Sequence, residues 1–288
     1  MTMNNVLSNI RWKEQSTECE SILGNAGEAV ITPLKGGLEA EVYKVTLPDK
    51  ELVFKIWNRD SRPDISLQYK VLEQMYRQGR AVSQPYAWGL DPGDNQVLLT
   101  SFDGVPLTEA NTSVLTAIAE NLLDIHKLPT DSLSSINVPA YDFADYFFPE
   151  WGDQPEIREL ALGLADKAGI TSHHLIHGDY HAGNILEAAG AYTIIDWTNV
   201  QLGDPRYDIA WSILIIRVYA GEQYAEVYRS AFLAKSSYTE AELELFEALA
   251  CLRWLQLYRT TGIPVFQDTL SVMQTILQRN SYLPEGLL

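Results

Sequence analysis

From the amino end, polar and apolar positions first fall into a loosely amphipathic segment over residues 1–30, which predicts a lead-in helix with no evident chemistry. Over residues 33–45 a glycine pair, Gly36 and Gly37, leads into alternating positions, and after a turn at Pro48-Asp49-Lys50 a second alternating run covers residues 51–57. Two such runs around a short turn predict a β-hairpin. Ser61 and Pro63 then open a helical pattern with Ile65, Leu72, Met75 and Tyr76 on one face, running through Gln78 and stopping at Gly79. Residues 97–107 read as a buried strand that breaks at a glycine.

Beyond that point the three- and four-residue period dominates. Helices are predicted over 113–127, with Ile118, Leu122, Ile125 and His126 close to one stripe, and over the nearly all-apolar 208–220. A third covers 239–260, opened by a Thr-Glu-Ala-Glu cap, with Leu245, Leu249, Leu252 and Leu255 or Gln256 on one face. His126 on its apolar stripe reads as a packing residue. One stretch breaks the periodic pattern: His177-Gly-Asp-Tyr-His-Ala-Gly-Asn-Ile-Leu186, followed by Tyr192-Thr-Ile-Ile-Asp-Trp197, sets polar residues at fixed spacing inside two apolar, β-rich runs.

Composition narrows the possibilities. A chain of 288 residues can form one large domain or two lobes around a cleft, and its 46% apolar and 20% charged content is that of an ordinary globular protein. The 21 basic residues against 38 acidic ones give a net charge of -17, which argues against nucleic acid or an anionic membrane surface as partner. Cys19 and Cys251 show no metal or disulfide spacing, and the first residues lack a secretory pattern, so a reducing, cytoplasmic setting is expected. The most apolar run, residues 209–216, is far short of the ~20 residues that span a bilayer.

The irregular stretch carries the chemistry. Asp179, an amide five residues on at Asn184, and a second acid at Asp196 after an Ile-Ile strand form a minimal set for phosphoryl transfer. One carboxylate positions the attacking hydroxyl and takes its proton, while an amide oxygen and another carboxylate hold magnesium ions that bridge nucleotide phosphates. The offset equals that of the kinase catalytic loop, and Ile-Asp-Trp stands where kinases carry Asp-Phe-Gly. These motifs resemble the aminoglycoside phosphotransferase and choline kinase family, whose loop reads roughly H-G-D-x-x-x-x-N followed by a strand ending in I-D.

That resemblance, spanning roughly residues 30–260, implies an α+β, two-lobed protein kinase-like fold. A small antiparallel-sheet lobe over residues 1–102 would bind the nucleotide, and a larger, mainly helical lobe over residues 103–288 would carry catalysis and the acceptor. It implies ATP and Mg2+ as cofactors, with Asp179 as base, Asn184 and Asp196 as metal ligands, and His177 and Asp208 as structural support of the site. In the small lobe it implies Gly36 and Gly37 over the phosphates, Lys55 as phosphate clamp, and backbone groups near Thr100, Ser101 and Phe102 at the adenine. The chain departs from the family pattern at Glu39 and Ala40, where relatives often show Ser-Asn, and at Gln68, where the family has the glutamate that partners the lysine. Glu73 lies about 100° round the helix from the leucine at 72. Either a neutral amide at Gln68 orients Lys55, or Glu73 does so from a rotated helix.

Eleven residues separate Asp196 from Asp208, too few for a long activation segment, and the loop lacks the arginine of protein kinases. Both facts point to a small-molecule hydroxyl as acceptor. Residues 141–156 interleave Asp142, Asp145, Glu150, Asp153 and Glu156 with Tyr141, Phe143, Tyr146, Phe147, Phe148 and Trp151. That is either a solvated loop or a pocket for a cationic acceptor, with Asp145, Glu150, Trp151 and Trp197 as candidate contacts. Two rival readings stand beside the kinase: a nucleotide-binding pseudokinase, motivated by Gln68, and a metal hydrolase built on His173, His174, His177 and His181. The metal reading needs His177 and His181 on a helix, which Gly178 and Gly183 disfavour.

Overall fold

Residues 11–15 alternate too regularly for a helix, with Trp12 and Glu14 turned inward and Arg11, Lys13 and Gln15 outward. In the structure, a computed structural model that describes residues 7–24, 26–34, 40–57, 63–149, 155–260 and 262–288, they form a strand, β1 (Arg11–Gln15). This corrects the lead-in helix expected over 1–30, of which only a short helix, α1 (Cys19–Gly24), is present among the described residues. The physical reason is Trp12, whose ring meets Phe54 edge-on at 6.4 Å and is worth more against a sheet core than on a solvated helix.

Contacts divide the chain into two compact units. The first comprises Met1–Val105, Ser135–Asn137 and Leu186–Thr198; the second comprises Pro106–Ser134, Val138–Ile185 and Asn199–Leu288. In the first unit, β1 and α1 are followed by β2 (Val30–Pro33), β3 (Ala40–Thr46), β4 (Glu51–Trp57), α2 (Ile65–Arg77), β5 (Pro85–Leu90) and β6 (Gln96–Ser101). The expected hairpin is β3 and β4, paired from Ala40↔Trp57 to Thr46↔Glu51. The sheet order is β1-β5-β6-β4-β3-β2, with neighbouring strands antiparallel throughout. One face of it, with Leu52, Phe54, Val97 and Leu99, is closed by Leu7, Ile10, Cys19 and Ile22 from the amino-terminal segment. Ser61 lies outside the described residues; Asp64 caps α2, its carboxylate accepting from the Leu67 N–H at 2.9 Å.

The chain continues through β7 (Val105–Pro106), α3 (Thr112–His126), α4 (Phe143–Phe147), α5 (Pro155–Ala168), β8 (His174–Ile176), β9 (Ile185–Ala188), β10 (Ala191–Ile194) and β11 (Gln201–Gly203). It ends with α6 (Pro205–Tyr219), α7 (Glu222–Lys235), α8 (Glu240–Thr260) and α9 (Thr269–Arg279). The three long helices expected from periodicity are α3, α6 and α8. In the second unit, α6 and α8 pack through Tyr207, Trp211, Leu214, Phe246, Leu249 and Trp254, all buried in one core. The strand β8 pairs antiparallel with β11, Ile176 opposite Gln201. No helix of the described residues is long and apolar enough to cross a membrane.

Candidate active site

Buried Leu175 and Ile176 end β8, and the chain emerges at His177 into the irregular stretch. Gly178 makes the turn with φ +80°, and a Cβ there would come within 2.7 Å of the Asn199 carbonyl oxygen, so only glycine fits. Two consecutive N–H groups point the same way and are taken by one carboxylate: His177 N–H donates to Oδ2 of Asp208 at 2.6 Å and Gly178 N–H to Oδ1 at 2.8 Å. Asp208 is fully buried in the first turn of α6. Its Oδ2 also lies 3.1 Å from Nε2 of His126, from the last turn of α3. Nδ1 of His126 is buried without a partner among the described residues, which assigns the ring proton to Nε2, because an orphan buried N–H costs more than an orphan lone pair.

Asp179 follows at once. Its N–H donates to Nδ1 of His177 at 3.2 Å, and its carbonyl accepts from Nδ2 of Asn184 at 3.0 Å. Its Oδ1 accepts from the indole Nε1 of Trp211 at 2.9 Å, while Oδ2 lies 3.7 Å from Nε2 of His181. The His181 ring is oriented by its Nδ1, which accepts from the Gly183 N–H at 3.0 Å. Burial opposes ionisation of Asp179, yet the His181 imidazole, with His177 and the Trp211 indole, outweighs it and holds the carboxyl below its ordinary value. The side chain keeps 37% of its surface open, enough for an incoming hydroxyl to reach it. Because Asn184 spends its amide N–H on the loop backbone, its oxygen remains for a cation. Tyr180, fully buried, anchors the loop by donating to the Ile118 carbonyl at 2.7 Å.

The second unit thus brings together Asp179, Asn184, His177 and Asp208. The first unit carries Lys55, Gln68, Thr100, Ser101, Phe102, Asp196 and Trp197. Asp196, after β10, adopts a left-handed backbone, φ 65°, which non-glycine residues hold only where their surroundings enforce it. Its Oδ1 accepts from the Thr198 hydroxyl at 3.2 Å. Trp197, a candidate acceptor contact, is only 1% exposed, and its indole donates to the Ile194 carbonyl at 3.2 Å. Asn184 and Asp196 are hard oxygen donors of the kind magnesium takes. Each unit supplies one such donor, Asn184 in the second and Asp196 in the first, and no three His, Cys, Asp or Glu side chains converge as a metal group among the described residues.

Lys55 stands mid-strand, opposite Val42 on β3 and Leu98 on β6, and has no ion-pair partner among the described residues. Of its two possible orienting groups, Glu73 is engaged on the solvent side by Arg77 at 2.9 Å, one turn along α2. Gln68 instead turns inward, 3% exposed, with its Nε2 lacking a hydrogen-bond partner among the described residues. The N–H groups of Ser101 and Phe102 donate within the unit, to the carbonyls of Gln84 at 2.9 Å and Glu51 at 3.2 Å. Thr100 is buried. Gly36, Gly37, Glu150 and Trp151 lie outside the described residues. Asp145, in α4, pairs with Arg158 at 2.9 Å and keeps 74% of its side chain exposed.

His126, expected as a packing residue, is buried as expected, and its partner is Asp208; the contact between Trp211 and Asp179 was not expected, since Trp211 lies in an apolar helix. The signal for Trp211 was its position three residues after Asp208, one helical turn along the same side. A cavity of about 750 Å³ in the second unit, with Arg217, Tyr219, Glu247, Phe266 and Ile276 among its walls, contains none of the loop residues.

A family model described as the phosphotransferase enzyme family matches residues 30–246. No curated protein matches the chain by sequence. Among solved structures, the choline kinase LicA from Streptococcus pneumoniae is 15% identical, with 91% of this chain and 98% of that one covered at a TM-score of 0.60. Amicoumacin kinase hAmiN, in complex with AMP-PNP, Ca2+ and Ami, is 16% identical over 93% and 96% of the two chains, with a TM-score of 0.61. A thermostable mutant of aminoglycoside phosphotransferase APH(4)-Ia, in ternary complex with AMP-PNP and hygromycin B, gives 15%, 91%, 97% and 0.62. At these identities the likeness shows a shared fold, the α+β kinase-like fold that the family resemblance implied.

Proposed function

We infer the chemistry of this chain from a plain premise: it belongs to the phosphotransferase enzyme family. It is an ATP-dependent kinase that moves the γ-phosphoryl group of ATP to a hydroxyl of a small molecule. Asp179 orients the acceptor hydroxyl and takes its proton as the new O–P bond forms; the bond from γ-phosphorus to the β–γ bridging oxygen breaks, and that oxygen leaves on ADP. A base with a lowered pKa suits this reaction, because in a loose transition state the hydroxyl proton departs late. Asn184 and Asp196 would hold magnesium, which when bound neutralises and aligns the phosphates. Lys55 takes the α- and β-phosphates, Gly36 and Gly37 cover them, and backbone groups near Thr100, Ser101 and Phe102 meet the adenine.

The observation that carries this reading is the restraint on Asp179: the backbone before it held by Asp208, one carboxylate oxygen bonded to Trp211 and the other 3.7 Å from the His181 imidazole. Kinases of this chemistry gain their rate from positioning, so a base fixed at both ends is what the reaction needs. For the acceptor we favour a cationic small molecule. Tyr141 stacks on Tyr146 at 4.9 Å and leaves 47% of its surface exposed, Tyr146 is anchored by its hydroxyl to Oδ1 of Asn199 at 2.8 Å, and Asp145, next to Tyr146 in sequence, is exposed although one oxygen pairs with Arg158. Aromatic faces next to carboxylates suit a cation. A cytoplasmic location fits the demand for ATP.

A second reading, a nucleotide-binding pseudokinase, is favoured by one observation: Lys55 has no carboxylate partner among the described residues, and a neutral amide stands at Gln68. Magnesium-dependent ADP release across aminoglycosides, choline, amino alcohols, ribosyl compounds and fructosamines separates the two. Stimulation by one class, abolished in Asp179→Asn, is expected. Nucleotide binding without stimulation by any class would favour the pseudokinase.

A further inference from the structure

We propose that Trp211 is a positioning residue for the reaction, fixing the Asp179 carboxylate so that Oδ1 is held and Oδ2 alone receives the acceptor hydroxyl. The inference rests on the kinase reading above and adds to it a residue and an assignment of the two carboxylate oxygens. An indole N–H can donate but not accept, so its bond to Oδ1 at 2.9 Å occupies that oxygen without offering the substrate a competing base. A hydrogen bond to an ionised carboxylate is among the stronger kinds, and this one is sheltered, since Trp211 is only 6% exposed. The other oxygen, Oδ2, faces His181 at 3.7 Å, too far for a hydrogen bond to close it off.

The placement of Trp211 is what makes it a positioning group rather than a space filler. It sits one turn beyond Asp208 on α6, and Asp208 holds the backbone of His177 and Gly178. One turn of a single helix therefore fixes both the loop that carries the base and the rotation of the base's carboxylate. That turn is itself rigid, with Tyr207, Ile209, Ala210 and Trp211 all buried and α6 packed along α8. A carboxylate free to rotate about its last bond would offer the hydroxyl a poorly aligned oxygen much of the time, which lowers turnover more than binding.

A pair of variants separates the donor from the bulk. Trp211→Phe keeps a large aromatic ring but removes the N–H, whereas Trp211→His loses the outer ring but keeps a donor nitrogen where the indole Nε1 stood, because imidazole superposes on the five-membered ring of indole. With an acceptor found in the panel, Trp211→Phe should lower kcat about tenfold or more while KM for ATP stays within about twofold. Trp211→His should retain more of kcat than Trp211→Phe. If Phe equals or exceeds His, Trp211 only fills space and the proposal fails. A second measurement needs no turnover and so keeps this failure distinct from failure of the kinase reading. The chain has seven tryptophans, and in the 1H–15N spectrum of the full protein the indole resonance lost in Trp211→Phe should move and exchange faster with water in Asp179→Ala. An unmoved resonance would mean that the hydrogen bond does not exist in solution, which overturns the proposal.

Discussion

Nε2 of His126 and Oδ2 of Asp208 lie 3.1 Å apart, both buried, although they are 82 positions apart in the chain. The pair links α3 to the turn of α6 that holds the catalytic loop. His126→Ala should leave Oδ2 of the buried carboxylate with the His177 N–H as its one remaining donor and lower stability by about 1 kcal/mol, seen in the urea midpoint. His126→Gln, which can present an amide N–H to the same oxygen, should recover part of the loss. Equal midpoints for wild type and the alanine variant would show that the contact contributes nothing.

Gln68 and Lys55 supply a second test. If Gln68 faces Lys55, Gln68→Glu gives the lysine a charged partner, and turnover should rise about fivefold, the equivalent of about 1 kcal/mol. If it does not, the new carboxylate is buried alone, and the expected sign of failure is a lower melting temperature with unchanged kcat.

Gly178→Ala should be far more damaging than its size suggests. The added carbon meets the Asn199 carbonyl oxygen at 2.7 Å and must also tolerate φ +80°. A loss above about 2 kcal/mol is expected, with turnover falling further as Asp179 shifts. Retention of wild-type activity would show that the loop relaxes easily and is not held as described.

Both thiols should be silent in the native state. Burial pushes the Cys19 thiol up to about 11 and raises that of Cys251 further, so at pH 8 the Cys19 thiolate is about one part in a thousand. Neither side chain is exposed. A chromogenic disulfide reagent at pH 8 should label no thiol in native protein and two after denaturation; rapid native labelling would contradict the packing of α1 or α8.

Local signals made most elements legible. The hairpin of β3 and β4 could be read because Val42, Lys44, Leu52 and Phe54 alternate around a Pro-Asp-Lys turn, and α3, α6 and α8 because their apolar stripes are long. What sequence hid was decided by distant partners. β1 is five residues long, and its alternation pays off only against β5 and Phe54. His126 is core, as its stripe indicated, but its partner Asp208 could not be read because it is far along the chain. Trp211, amid Ile209, Ala210, Ile213 and Leu214, had nothing to distinguish it from packing until the structure put its N–H on Asp179. Even α2 shifted its start, since Asp64 rather than the earlier Ser-Pro signal caps it.

The strands at the two ends of the first unit's sheet, β1 and β2, have a consequence for how the protein behaves in concentrated solution. A bare sheet edge is a template on which another molecule can add a strand. Here one edge is Arg-Trp-Lys-Glu-Gln, with charges on both sides and an irregular register between Trp12 and Glu14, and the other is only four residues long and ends in Pro33. Charge, a kink, brevity and proline each discourage strand addition. The amino-terminal segment therefore guards β5 against self-association, and its removal would convert a guarded edge into an adhesive one.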